Sequence, residues 1–237
     1  MTTKKIIKVG ILEVKVTKRS GQKNLYIRVS PPNGDISVSV PAKTTDKVIK
    51  NFVLRKMPEI IKFQDRMQRQ FRQTKREYIS GETYYYLGKP YMLQVIHKGR
   101  HNKIEKAPNK IIMTVPEGAS YEKREKLLTG WYRSELKKIL PIVLKQCENK
   151  MGIKINAYNI RNMKTRWGSC NISKRYILIN LQLIKKPIEC LEYVLIHEFI
   201  HLLEKNHTKR FKSLLDKYYP AWKEAKQILE DMPLDYI

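Results

Sequence analysis

Apolar and polar residues alternate through the first forty positions, the period-two signature of half-buried strands. Leu25, Ile27 and Val29 precede Pro31-Pro32-Asn33-Gly34-Asp35, and Ile36, Val38 and Val40 follow it. This spacing predicts a β-hairpin whose turn uses Asn33 and Gly34, residues that tolerate positive φ. The period then changes. Val48, Ile49, Phe52 and Val53 share one helical face behind a Thr44 or Thr45 cap, and Pro58 interrupts or kinks the pattern before Ile60, Ile61, Met67 and Phe71 resume it. A second strand-rich stretch is predicted at 83–87, 91–96 and 111–115, with Gly88-Lys89-Pro90 as a turn and Pro116 as its end. From Tyr121 onward, Leu127, Leu128, Trp131, Leu136, Ile139, Leu140, Val143 and Leu144 recur at threes and fours up to Gly152, predicting one long helix bent at Pro141. Short strands at 165–170 and 176–181 precede an apolar segment beginning near Glu189. Thr208 is placed to cap a helix carrying Phe211, Leu214 and Leu215, and 221–229 reads as one more.

Charge adds a second feature. The chain of 237 residues carries 48 Lys+Arg against 22 Asp+Glu, a net charge of +26. Residues 1–116 hold 25 basic and 8 acidic side chains (+17), whereas residues 117–237 hold 23 and 14 (+9). Such a potential attracts polyanions without specifying a fold, so non-specific nucleic-acid binding through the basic N-terminal half is one expectation. A Lys-rich, merely solubilising surface is the other. No aromatic RNA-binding motif or zinc-finger spacing is visible, so sequence-specific base readout is not expected. No stretch approaches the roughly 18 consecutive apolar residues of a membrane span. Lys8, Glu13 and Lys15 break the apolar runs where a secretory signal needs continuity, which predicts a cytoplasmic protein with no membrane partner. Cys147, Cys170 and Cys190 are odd in number and lack paired short spacing, so they are expected as reduced side chains.

Three of the five histidines fall in one window of eleven residues, from His197-Glu198-Phe199-Ile200-His201 to His207. With this composition HExxH arises by accident in roughly one chain in 140, and a further His six residues beyond the second lowers that to about one in 7,000. At about 100° per residue, His197 and His201 lie about 40° apart on a helix and Glu198 about 60° further round, while Leu191, Leu195, Phe199, Leu202 and Leu203 cover the opposite side. Burying two imidazoles and a carboxylate costs a few kcal/mol per group unless something satisfies them. One zinc ion does so, with imidazole nitrogens at about 2.0 to 2.1 Å. Glu198 is too far round the helix to ligate easily and is placed to touch water on the metal. His207 becomes the third ligand if the helix stops after His201, with Asn206 in the left-handed conformation and Thr208 opening the next helix. Glu224, from a later helix, is the alternative third ligand.

Three protein ligands leave a fourth position for water, whose pKa the metal lowers, and Glu198 then acts as the catalytic acid/base of amide hydrolysis. His97 and His101 share the i, i+4 spacing but flank Lys98-Gly99-Arg100, which suits a solvated loop. Trp167 reads as core packing and Gly168 as a close backbone approach. Arg166, Tyr218 and Tyr219 are conceivable oxyanion donors.

Met163-Lys164-Thr165-Arg166-Trp167-Gly168-Ser169-Cys170, then Ile179-Asn180-Leu181, then Tyr193 through His201 and Asn206-His207 through Phe211, resemble the YgjP-like metallopeptidase family, distant kin of SprT-like zinc peptidases. The resemblance extends upstream through Gly81-Glu82 and Tyr86-Leu87-Gly88-Lys89 to the first hairpin. It implies an α+β fold: a β-rich N-terminal region (1–116) with one long helix, then a helix-rich zincin-like metallopeptidase domain (117–237) with a small sheet and an active-site helix. It also implies His197, His201 and His207 as metal ligands, Glu198 as the catalytic residue, and a protein or peptide substrate. Lys212 and Phe199 stand where the family often shows Trp and Leu, both packing positions. The readings competing with a zinc peptidase are a nucleic-acid-associated basic protein with a structural metal site, and a peptidase acting on DNA-bound proteins.

Overall fold

The alternation of the first forty residues resolves into four strands, β1 (Thr2–Val9), β2 (Leu12–Arg19), β3 (Tyr26–Ser30) and β4 (Asp35–Pro41), in the order β1-β2-β4-β3. The computed structural model describes residues 2–30, 34–69, 76–163 and 165–231. The predicted hairpin is β3–β4, with Ile27 opposite Val38 and Val29 opposite Ile36; Pro31, Pro32 and Asn33 of its turn lie outside the described residues. Two helices follow, α1 (Asp46–Arg55) and α2 (Met57–Arg69). Pro58 starts the second helix instead of kinking one long helix, because a first-turn proline removes an N–H that has no intrahelical partner anyway. Thr45 is the N-cap of α1 but makes no side-chain cap bond. Val14, Val16, Ile36, Val38, Ile49, Val53 and Ile60 form a core within this part, while Ile61, expected beside Ile60, is 48% exposed.

The chain divides into two compact units, Met1–Phe71 and Arg72–Ile237. The boundary therefore falls well before Pro116, where the sequence reading placed it. The reason is the second sheet, β5 (Thr83–Tyr86), β6 (Lys89–His97), β7 (Lys103–Lys106) and β8 (Lys110–Val115), ordered β5-β6-β8-β7. Its Tyr84, Leu93, Ile111, Met113 and Val115 are buried in the same core as Leu128, Tyr132, Leu136 and Leu140 of α3 (Tyr121–Met151). The β5–β6 turn is Leu87-Gly88, both at positive φ, so Lys89 and Pro90 already belong to β6.

Helix α3 runs from a Ser120 cap, which accepts a hydrogen bond from Lys123 N, to Gly152 at φ 68°, and it contains Pro141. A three-stranded sheet follows, β9 (Ala157–Arg161), β10 (Gly168–Asn171) and β11 (Tyr176–Asn180), in the order β10-β11-β9. Strand β11 pairs parallel with β9 and antiparallel with β10, which leaves β10 at the edge. A 3-10 helix (Leu181–Lys185) leads into α4 (Ile188–Ile200), then α5 (Lys209–Tyr218) and α6 (Trp222–Asp231). Helix α4 buries nine of its 13 residues, so it is the central helix of an α+β unit. No helix among the described residues is long and apolar enough to cross a membrane.

Candidate metal centre

The C-terminal turn of α4 carries His197 and Glu198, and His201 is its C-cap. The helix stops there because its last turn tightens, with Leu202 N bonded to Phe199 O at 3.0 Å, and Leu203 N and Glu204 N both bonded to Ile200 O at 2.8 Å. Asn206 does not supply the stop: among the described non-glycine residues only Tyr78, Leu87 and Arg175 have positive φ. Thr208 then opens α5, its hydroxyl accepting from Phe211 N at 3.3 Å. The elbow between the helices returns His207 toward α4, where its Nε2 lies 2.9 Å from His197 Nε2.

One ligating nitrogen from each of His197, His201 and His207 lies within 4.8 Å of the others. A tetrahedral zinc ion with bonds of about 2.0 to 2.1 Å would hold such nitrogens about 3.3 Å apart. The three rings surround Phe211, which is 1% exposed, with centroids 4.6 to 4.9 Å from its own. His201 Nδ1 faces Glu204 O at 3.3 Å, so a donated N–H there leaves the Nε2 lone pair free for a cation. Protonation is suppressed at two of the rings: burial first, then the charges of His201 and His207, pulls His197 down to about 3, and burial followed by His207 lowers His201. Two imidazole nitrogens 2.9 Å apart, one on the half-buried ring of His197 and one on the exposed ring of His207, form with His201 a donor set suited to a metal ion.

Glu198 is 5% exposed, and burial pushes its carboxyl up to about 8, opposed by the positive charge of Arg166. Phe199 and Leu195 are fully buried as the helical periodicity predicts, but Leu203 is 41% exposed because it lies past the helix end. Glu224 is exposed on α6 and is not part of the three-histidine group. His97 and His101 are exposed, as expected of a solvated loop. Tyr219 donates its hydroxyl to Glu189 O at 3.0 Å. Cys147, Cys170 and Cys190 are free thiols.

Sequence reasoning did not single out Asn180 for a role. It is fully buried at the end of β11; its Nδ2 donates to Met163 O and Arg166 O at 2.8 and 2.7 Å, and its Oδ1 accepts from Met163 N and Gln182 N at 3.2 and 3.1 Å. The available signal was a polar residue closing the apolar strand Tyr176-Ile177-Leu178-Ile179.

The chain resembles known proteins at two levels. No curated protein matches it. Among solved structures, the metallopeptidase zymogen abylysin of Pyrococcus abyssi is 23% identical, with a TM-score of 0.33, covering 37% of this chain and 86% of that one. The metallopeptidase zymogen jannalysin of Methanocaldococcus jannaschii is also 23% identical, with a TM-score of 0.34, covering 38% of this chain and 91% of that one. The family model described as "YgjP-like, metallopeptidase domain" matches residues 23–232, a span that starts after β2 of the first unit and includes every residue of the histidine cluster. By that match the chain belongs to the YgjP-like metallopeptidase family.

Proposed function

We propose that the protein is a zinc-dependent peptidase in which His197, His201 and His207 hold the ion and Glu198 carries the proton. The observation behind this reading is the convergence of three imidazole nitrogens within 4.8 Å beside a buried carboxylate on the same helix. Zinc held there would acidify a water molecule and polarise the scissile carbonyl. Glu198 takes the proton from the attacking water and returns it to the leaving amine nitrogen. Burial alone keeps this carboxyl protonated near neutrality, whereas a cation on the neighbouring histidines favours its ionised form, the direction in which Arg166 already acts. Among the described residues strand β10 is paired on one side only, by β11, which offers an extended peptide substrate a backbone edge. The free thiols suit a reducing compartment such as the cytoplasm.

Metal analysis of the purified protein is expected to show one zinc per chain. Glu198→Gln is expected to keep that zinc and to lose about 10²- to 10⁴-fold in hydrolysis of an unfolded protein. Absence of zinc, cobalt and nickel after mild preparation overturns the metal site; unchanged hydrolysis by the variant overturns the role of Glu198.

A second reading, favoured by charge, is recruitment of nucleic acid, so that the peptidase acts on DNA-bound protein. Residues 1–71 alone hold 16 basic and 5 acidic side chains (+11).

A further inference from the structure

Gly168 opens β10, and it is not a glycine for conformational reasons: its φ is outside the left-handed range that eight other glycines occupy. Space is the constraint. A Cβ built on Gly168 would fall 2.7 Å from Glu198 Oε1, 2.9 Å from Glu198 Cγ and 2.9 Å from Val194 Cγ1. Carbon atoms in van der Waals contact stay about 3.5 to 4.0 Å apart. Val194 and Glu198 are one turn apart on α4, so the bare backbone of Gly168 lies flat against the face that carries the carboxylate.

That backbone is held firmly. Gly168 pairs with Ile179 in the sheet, and the preceding residue is tied by Asn180 N donating to Trp167 O at 2.9 Å. The Asn180 side chain spends both of its donors and its acceptor oxygen on Met163, Arg166 and Gln182. A buried amide satisfied in this way holds Arg166 and Trp167, the residues just before β10, against the end of β11. The strand stands at contact distance from Glu198 only because residue 168 has no side chain.

We propose that Gly168, anchored through Asn180, is a positioning residue that confines the Glu198 carboxylate to its working orientation. The proposal rests on the peptidase reading above and deepens it. A methyl group at 168 must push either the strand off the helix or the carboxylate out of place. The three atoms nearest to such a methyl belong to Glu198 and Val194 and none to a histidine, so the variant is expected to keep its zinc.

The test compares zinc content, kcat and KM of wild type, Gly168→Ala, Val194→Ala and the double variant on an unfolded protein substrate. Gly168→Ala is expected to hold zinc at wild-type stoichiometry, keep its KM and lose about a hundredfold in kcat, the cost of a displacement of about 1 Å at a reacting group. Removing the Val194 methyls makes room beside the new Cβ, so the double variant is expected to recover part of the loss. A kcat for Gly168→Ala within about twofold of wild type overturns the proposal, as does a rise in KM alone, which would make the residue a substrate contact. Loss of zinc together with activity overturns it too. If Gly168→Ala does not fold, the double variant is read against Val194→Ala: a kcat at least about tenfold lower supports the proposal, and equality overturns it. Wild type without metal-dependent hydrolysis overturns the peptidase reading and this proposal with it, whereas an active wild type matched by an equally active Gly168→Ala overturns this proposal alone.

Discussion

Lys186 is an ammonium group in an unfavourable place. It is 3% exposed, just before α4, with Nζ 5.5 Å from the centre of the Trp167 ring. Burial disfavours its charged form and pulls its pKa down to about 8 from the ordinary 10.5. Lys185 beside it is pulled to about 7, by burial first and then by the charges of Arg76 and Lys186. In the unfolded chain both titrate near about 10.4. Between the folded and unfolded values the unfolded state binds more protons, so stability rises with pH across that window, and below the folded values the cost is fully present. Lys186→Met removes the buried charge and relieves its neighbour. Denaturant titrations at about pH 7 and about pH 9.5 are expected to show the variant's advantage over wild type shrinking at the higher pH. An advantage that stays constant would mean that the ammonium is not desolvated in the folded chain.

The elbow between α4 and α5 brings His207 beside His197, and the Thr208 cap opens the helix on its far side. The hydroxyl of Thr208 satisfies Phe211 N, and Phe211 is the residue against which all three imidazoles pack. Thr208→Ala is expected to cost about 1 kcal/mol of stability, with Thr208→Ser recovering most of it. Because His207 immediately precedes the cap, zinc affinity measured by competition with a chelator is expected to fall with the Ala substitution and return with Ser. Unchanged affinity in the Ala variant would show that the ring is positioned by Phe211 alone. This cap was legible in the sequence because capping is local chemistry, and the shared face of His197, His201 and Glu198 was legible for the same reason. The end of α4 was not: Asn206 offered a left-handed stop, but the helix closes by 3-10 bonds that leave no residue signature. Strand β7, with only Ile104 partly buried, and strand β9, with only Ile160 buried, show no alternation and are held by their neighbours. Asn180 and Gly168 act across 14 to 30 residues of chain, a range that periodicity does not reach.

At the scale of the molecule, composition and packing divide the chain differently. The charge shift near Pro116 marks where strands give way to helices, yet the core of α3 continues into β5–β8, and contiguous apolar burial decides what folds together. The consequence is that the basic excess is spread over both units, +11 in residues 1–71 and +15 in residues 72–237, with the first unit denser in charge for its size. If the first unit recruits DNA, its lysines and arginines displace condensed counterions, and log affinity falls linearly with log salt, the slope set by the number of phosphates contacted. For six or more contacts, affinity of the full chain for a duplex of arbitrary sequence is expected to drop at least about a thousandfold between about 50 and about 200 mM salt. Charge reversal at exposed lysines of the first unit, such as Lys4→Glu with Lys8→Glu, is expected to flatten that slope while leaving hydrolysis of a free unfolded protein unchanged. Binding that is absent at about 50 mM salt, or indifferent to salt, would leave the positive charge as a solubilising surface and the histidine centre acting on free protein alone.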